Sequence, residues 1–215
     1  MGSYIWTDNP MIKFDEMCKN ANTGEEICQL VDYYYEITKN SDFELKSLYN
    51  NYIGWALPSI KTCNLVVETW KLYPNSHIVD LGAGTGVFCK VFNDMGIQEN
   101  KLLAIDLIKP SHCSKHSRSF WPIYRYDNYK VDSNDILFIA WGLNFEYIVD
   151  DYVKRGGHCV IILGELGGGL TFPPDFFLDD NDQPKDGWDV VLHKARSPLL
   201  SCCERLSINR RIKYP

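Results

Sequence analysis

Five short apolar runs constrain this chain more than any other feature: "HIVDL" (77–81), "LLAIDL" (102–107), "PIYRYD" (122–127), "ILFIAW" (136–141) and "CVIILGE" (159–165). Runs of this length that are apolar on both alternating faces predict strands covered on both sides, the condition of a mostly parallel sheet in an α/β protein. Helical periodicity fills the gaps at roughly 85–95, closed by Gly96, and 145–155, closed by Gly156 and Gly157. Glycine suits those positions because it accepts the left-handed conformation that ends a helix. The stretch 111–120 is too polar to assign. The end of the chain differs: "WDVVLHKAR" (188–196) and "CERLSINRR" (203–211), joined around Ser197-Pro198, predict an antiparallel hairpin. Five parallel-type strands followed by a hairpin is not the order of a dinucleotide dehydrogenase built from two similar halves.

The first 75 residues have helical character. Thr23 and Glu26 have capping-box spacing, and Ile27, Leu30, Val31, Tyr34 and Ile37 follow on one face. "SDFE" (41–44) repeats the signal for a second, short helix. A third begins near Ser59 and is expected to bury Ile60, Cys63, Val66, Val67 and Trp70 before Pro74 stops it. The expected organisation is therefore a helical extension, 1–75, packed on a sheet domain, 76–215.

The second feature is the turn in "IVDLGAGTGVF" (78–88), where Gly82, Gly84 and Gly86 alternate after Asp80. A nicotinamide-dinucleotide turn has G-x-G-x-x-G spacing, with its acid about twenty residues later. A phosphate-cradling loop would carry a lysine, and this turn has none. Small residues let the backbone pass close under a bulky ligand, and a carboxylate there suits a ligand bearing positive charge. The arrangement resembles the first motif of class I S-adenosylmethionine-dependent methyltransferases, over roughly residues 52–211. That family implies a Rossmann-like seven-stranded sheet, mostly parallel with a C-terminal antiparallel hairpin, and S-adenosylmethionine as cofactor. It also implies that Asp106, ending the second strand, accepts from the ribose hydroxyls. Asp127, ending the third, would take the adenine amino group. Cofactor binding thus falls on Asp80, Gly82, Gly84, Gly86, Asp106 and Asp127.

The acceptor side is less typical. Strand four ends "IAWGLNF" (139–145), where adenine N-methyltransferases carry Asp/Asn-Pro-Pro-aromatic. The chain is also similar to a group of uncharacterised methyltransferase-like proteins with Trp-Ala-x-Pro-Ser before the first motif, Ser-Trp-Pro-Pro after strand four and Gly-Glu after strand five. Here the counterparts are "WALPS" (55–59), "AWG" (140–142) and "LGELGGG" (163–169). Both prolines are absent and Ala140 replaces the polar residue. Trp55 and Trp141 are the candidate walls of the acceptor site, and Glu165 is the best-placed base. Asp80, Asp106, Asp127, Trp141 and Glu165 all fall outside the carboxyl ends of the strands, where open α/β sheets bind ligands. Methyl transfer to an acceptor that is already nucleophilic needs mainly alignment, so a sparse catalytic set fits an active enzyme. It fits an inactive methyltransferase-like scaffold or regulatory subunit as well.

Composition narrows the classes further. With 45% hydrophobic residues and 23% charged, the chain can bury a core. A formal net charge of −6 argues against gripping nucleic acid by bulk electrostatics. A local exception is 107–126, where Lys109, Lys115, Arg118 and Arg125 interleave with His112, His116, Phe120, Trp121 and Tyr124 without an acid. Such a stretch can contact RNA or DNA by charge and stacking, which keeps a nucleic-acid methyltransferase open; core packing explains its aromatics equally. No Lys-Asp-Lys-Glu tetrad can be assembled, which argues against cap ribose methylation. His112, Cys113 and His116 invite a metal, but structural zinc takes four ligands and no second cluster exists, so none is expected. The acid-rich 175–189 stretch reads as an exposed loop, a lid or a partner surface, without a calcium-loop pattern. Eight scattered cysteines without a C-x-x-C pair, no signal-peptide pattern and no membrane-length apolar run predict a soluble, cytoplasmic protein with reduced thiols.

Overall fold

The computed structural model describes residues 9–37, 43–54, 56–106, 118–126, 130–142, 145–165, 176–181, 183–194 and 204–212. Four helices come first: α1 (Pro10–Asn20), α2 (Gly24–Ile37), α3 (Phe43–Tyr52) and α4 (Ile60–Lys71). Their starts are set by side-chain caps. Asn9 Oδ1 accepts from the Met11 N–H at 2.9 Å, with Pro10 in the first turn, where its missing N–H costs nothing. The capping box of α2 forms as expected: Thr23 Oγ1 accepts from the Glu26 N–H at 3.2 Å, and Glu26 Oε2 accepts from the Thr23 N–H at 3.0 Å. Ser59 Oγ accepts from the Thr62 N–H at 3.2 Å and opens α4.

The predicted apolar faces mostly bury. Ile27, Leu30, Val31 and Tyr34 are enclosed, and so are Cys63, Val66 and Val67. Ile60 departs from expectation at 43% exposed. It shares an angular position with Val67, seven residues on, but it is the first residue of α4 and stays outside the buried set of that helix. Trp70 is half-buried, its Nε1 donating to the Ser76 carbonyl at 3.0 Å.

The sheet strands are β1 (Ile78–Leu81), β2 (Leu102–Asp106), β3 (Ile123–Arg125), β4 (Ile136–Ala140), β5 (Cys159–Glu165), β6 (Trp188–Lys194) and β7 (Glu204–Arg211), ordered β3-β2-β1-β4-β5-β7-β6. The first five are parallel. The arms of the predicted hairpin pair antiparallel, from Trp188↔Arg211 to Lys194↔Arg205, and β7 inserts between β5 and β6. The loop around Ser197-Pro198 lies outside the described residues. β3 is shorter than its apolar run: it is an edge strand, and Pro122 before it cannot donate to the ladder. Asn209, buried within β7, is satisfied by donating to the Val160 carbonyl at 3.0 Å and accepting from Ser207 Oγ at 2.9 Å.

Period-two alternation sends side chains to two cores. Ile78, Ala104, Ile136, Phe138 and Ile161 join the N-terminal helices and α5 (Val87–Asp94). Val79, Leu81, Ile105, Leu137, Ile139 and Val160 pack under α6 (Glu146–Lys154). Gly24 lets α2 approach α5, since a Cβ there would lie 2.9 Å from Val91 Cα; its N–H donates to Asp94 Oδ2 at 2.6 Å. Below the sheet, the buried Tyr152 hydroxyl donates to the Asp135 carbonyl at 2.7 Å and accepts from the His158 and Cys159 N–H groups at 3.0 and 3.1 Å. Cys18, Cys28, Cys63, Cys89 and Cys159 are buried free thiols.

β1 pairs with β2 on one side and with β4 on the other. The chain runs outward from β1 through β2 to β3, then returns to β4, so the strand order reverses between β1 and β4. Open α/β sheets bind ligands at the carboxyl ends of the strands flanking such a switch point.

Candidate cofactor site

The glycine turn leaves β1 at this switch point. Gly82, Gly84 and Gly86 have φ of 80°, 56° and 75°, the left-handed region that favours glycine. The Gly82 and Ala83 N–H groups donate to the Ile105 carbonyl at 2.8 and 3.1 Å, and the Gly86 N–H closes onto the Ala83 carbonyl at 2.8 Å, where α5 begins. A Cβ on Gly82 would meet the Phe145 ring at 2.8 Å, and one on Gly86 would meet Trp121 Cβ at 2.6 Å. At Gly84 no described atom lies within 4 Å of that position. The outer two glycines are therefore required by internal packing, and the middle one borders open space.

Two acids flank the turn. Asp106, the last residue of β2, accepts from the Gly84 N–H through Oδ2 at 2.9 Å, fixing the middle of the turn to the neighbouring strand. Asp80 lies within β1, 1% exposed, on the face toward α5 and the N-terminal helices. Its Oδ2 has no hydrogen-bond partner among the described residues. Burial, aided by the charge of Asp106, pushes its carboxyl up to about 8. A buried carboxyl with an orphaned oxygen, beside a glycine bordering open space, fits a ligand that brings positive charge. Cys89, on α5 beneath it, is held well above the usual thiol range by burial and then by Asp80, so it is no nucleophile.

The acceptor side begins where β4 ends. Trp141 is half-buried at φ 54°, the sole non-glycine residue with positive φ among the described residues, and its N–H donates to the Leu163 carbonyl at 2.8 Å. That conformation costs about 1 kcal/mol or more and marks a site that the surroundings over-determine. Gly142 admits no side chain: a Cβ would sit 2.5 Å from both Ile139 Cγ2 and Phe145 Cδ2. Phe145, 4% exposed, thus packs beneath the end of β4 and beneath Gly82 at once. Sequence patterns did not single it out, because one aromatic before a helix has no signature. Glu165 is the last residue of β5, in register with Glu204; its side chain lies outside the described set, as do Trp55 and Asp127.

Of the basic-aromatic stretch, 107–117 lies outside the described residues. In the rest, Arg118 points inward onto α1, Phe120 and Trp121 pack on the core, and Tyr124 is 51% exposed. In the acid-rich stretch, a bridge between Leu178 and Pro184 closes a turn in which Asp179 Oδ1 accepts from the Asn181 and Gln183 N–H groups, each at 2.9 Å. A groove of about 460 Å³ lined by Glu99, Leu103, Trp121 and Tyr124 opens beside β2 and β3 and contains none of the predicted site residues. Among the described residues no group of three His, Cys, Asp or Glu side chains could hold a metal, and no helix is long and apolar enough to cross a membrane.

Strand order, the reversed seventh strand and the glycine turn after β1 together constitute the Rossmann-like fold of the class I S-adenosylmethionine-dependent methyltransferases. No family model and no curated protein sequence matches the chain. Among solved structures it is similar to the 23S rRNA methyltransferase ErmE, at 11% identity and a TM-score of 0.46 over 74% of this chain and 70% of that one. It is also similar to a SAM-dependent methyltransferase from Aquifex aeolicus, at 12% identity and a TM-score of 0.40 over 85% and 98% of the two chains. A tRNA methyltransferase from the same organism gives 11% identity and a TM-score of 0.41 over 74% and 71%.

Proposed function

We propose that this chain binds S-adenosylmethionine at the β1–β4 switch point and transfers its methyl group to an acceptor at the ends of β4 and β5. The observation carrying the proposal is the glycine turn, whose middle N–H is held by Asp106 while the orphaned carboxyl of Asp80 lies buried beside it. Gly82, Gly84 and Gly86 shape the turn, Asp106 and Asp127 hold the adenosine, and Asp80 balances positive charge on the methionine part. Trp55, Trp141 and Glu165 belong to the acceptor side, with Glu165 taking a proton where the acceptor must lose one. The bound cofactor supplies an electrophilic methyl group; the chain aligns and encloses it. The helical region 1–75 acts as an extension of the binding domain 76–215.

Calorimetry with S-adenosylmethionine and S-adenosylhomocysteine on wild type and Asp106→Ala tests this. Expected are binding to wild type, loss in the variant, and stabilisation by roughly 2.7 kcal/mol at a hundredfold excess over the dissociation constant. Absence of binding to wild type overturns it. A second reading, a scaffold that keeps the cofactor without turnover, draws on the altered end of β4, where both prolines are absent and Ala140 replaces the polar residue. Cofactor affinity without methylation of thiol, amine, small-molecule or RNA acceptors would favour it.

A further inference from the structure

The glycine turn is anchored on two sides. Its inner side belongs to the sheet, through Ile105 and Asp106. Its outer side is held by residues 118–121. The Phe120 N–H donates to the Thr85 carbonyl at 2.8 Å, and Trp121 packs against Gly86. Thr85 is buried, with its hydroxyl donating to the Ile53 carbonyl at 2.5 Å. Ser119 Oγ donates to the Trp121 carbonyl at 2.8 Å, which tightens the segment.

What fixes 118–121 in turn is Arg118. Its Nη2 donates to the carbonyls of Cys18 and Ala21, each at 2.9 Å, and its Nη1 donates to Asn22 Oδ1 at 2.8 Å. The guanidinium lies 5.3 Å from the Phe120 ring centroid. The carbonyls at the C-terminal end of a helix are orphaned and carry partial negative charge, so a planar cation with several donors is suited to bind them. The strap therefore runs from the end of α1, through Arg118 and Phe120, to Thr85 and Gly86.

We propose that Arg118 is a positioning residue that holds the glycine turn in the geometry its ligand requires, by tying the outer side of the turn to α1. Three glycines in left-handed conformations have more freedom to lose than any other residues. Without the strap the ligand must order them itself, and affinity falls by the cost of that ordering. The affinity arm rests on the cofactor reading above; the ordering arm does not.

The test compares Arg118→Met, Arg118→Lys and Asn22→Ala with Tyr152→Phe, which destabilises the fold on the other face of the sheet. S-adenosylmethionine affinity, stability in urea and amide exchange by NMR are measured on each. Expected for Arg118→Met is roughly a tenfold or larger loss of affinity, with faster exchange at Gly84, Gly86 and Phe120. Arg118→Lys should restore part of both, and Tyr152→Phe should lose stability with neither change. Unchanged affinity and unchanged exchange in Arg118→Met would overturn the proposal. So would a matching affinity loss in Tyr152→Phe, which would show only general destabilisation. If Arg118→Met does not fold, Asn22→Ala carries the same comparison with a smaller effect. If the wild type does not bind S-adenosylmethionine, the cofactor reading fails and the exchange rates alone decide the role of Arg118.

Discussion

Replacing Asp80 with asparagine should change how the stability of the ligand-free protein depends on pH, and the size follows from burial. The carboxyl is fully enclosed, and its pKa rises from 3.8 to about 8 on folding. A folded-state pKa above the unfolded value means that the native state holds the proton longer. The stability contribution is therefore complete below about pH 4 and is lost as pH rises through about 8. The loss runs at about 1.4 kcal/mol per pH unit and totals about 6 kcal/mol at most. Local relaxation lowers it, so about 2–4 kcal/mol is expected between pH 5 and pH 9. The amide in Asp80→Asn is neutral throughout and nearly isosteric, and every other titrating group is common to both proteins. Urea unfolding at pH 5, 7 and 9 should give the closest stabilities at pH 5 and a widening advantage for Asp80→Asn toward pH 9. Parallel profiles would refute the assignment of a buried, unpaired carboxyl. A cationic ligand reverses the balance, because it favours the ionised form. Cofactor affinity should thus rise with pH up to about 8, with nearly one proton released per ligand at pH 7, read by calorimetry in buffers of different ionisation enthalpy.

The three remaining predictions test packing at and below the site. Gly86→Ala should cost about 2–4 kcal/mol, from left-handed strain plus collision with Trp121. Gly84→Ala should cost only about 1–2 kcal/mol yet abolish cofactor binding, as urea unfolding and calorimetry would show together; equal stability losses would contradict the difference in space. Tyr152→Phe removes the hydroxyl that bridges the Asp135 carbonyl and the His158 and Cys159 N–H groups, and should cost about 2–3 kcal/mol in urea without altering cofactor affinity. Gly142→Ala should cost about 1–3 kcal/mol, and Phe145→Leu in the same chain should recover part of it, a coupling that a double-mutant cycle measures; additivity would mean that the ring does not occupy that space.

The parts of this fold legible in the sequence are those whose physical demand is local. Near-continuous apolar runs mark β1, β4 and β5 because a strand covered on both faces is apolar at almost every position. Thr23 with Glu26, and Ser59, announce helix starts because capping acts over three residues. The three glycines stand out because left-handed backbone excludes most side chains. Boundaries that depend on neighbours are less visible: β3 stops at Arg125 because an edge strand follows its partner rather than its own apolar run. The exposure of Ile60 is not visible either, because periodicity gives its direction around the helix and not whether a neighbour covers it. The long-range contacts of the site have no local sign at all. Arg118 finds its carbonyl partners about a hundred residues earlier, and in the sequence it looks like one more basic residue of a nucleic-acid patch.

That contrast bears on how the end of β4 is to be understood. Against the pattern it resembles, "AWG" looks like a motif that has lost its prolines. In the fold, Gly142 is the only residue type that leaves room for Phe145, and Phe145 in turn fills the space under Gly82. The altered strand end and the glycine turn are therefore one packed unit, in which a proline at 142 would displace the ring that supports the turn. Trp141 is held in a left-handed conformation within the same unit, with its N–H donating to the Leu163 carbonyl. Against that pattern, the polar side chain that precedes the Trp is the one missing here, since Ala140 stands in its place. Under the proposed methyl transfer, chemistry here would come from alignment against Trp141, from Glu165, or from an acceptor that arrives already nucleophilic.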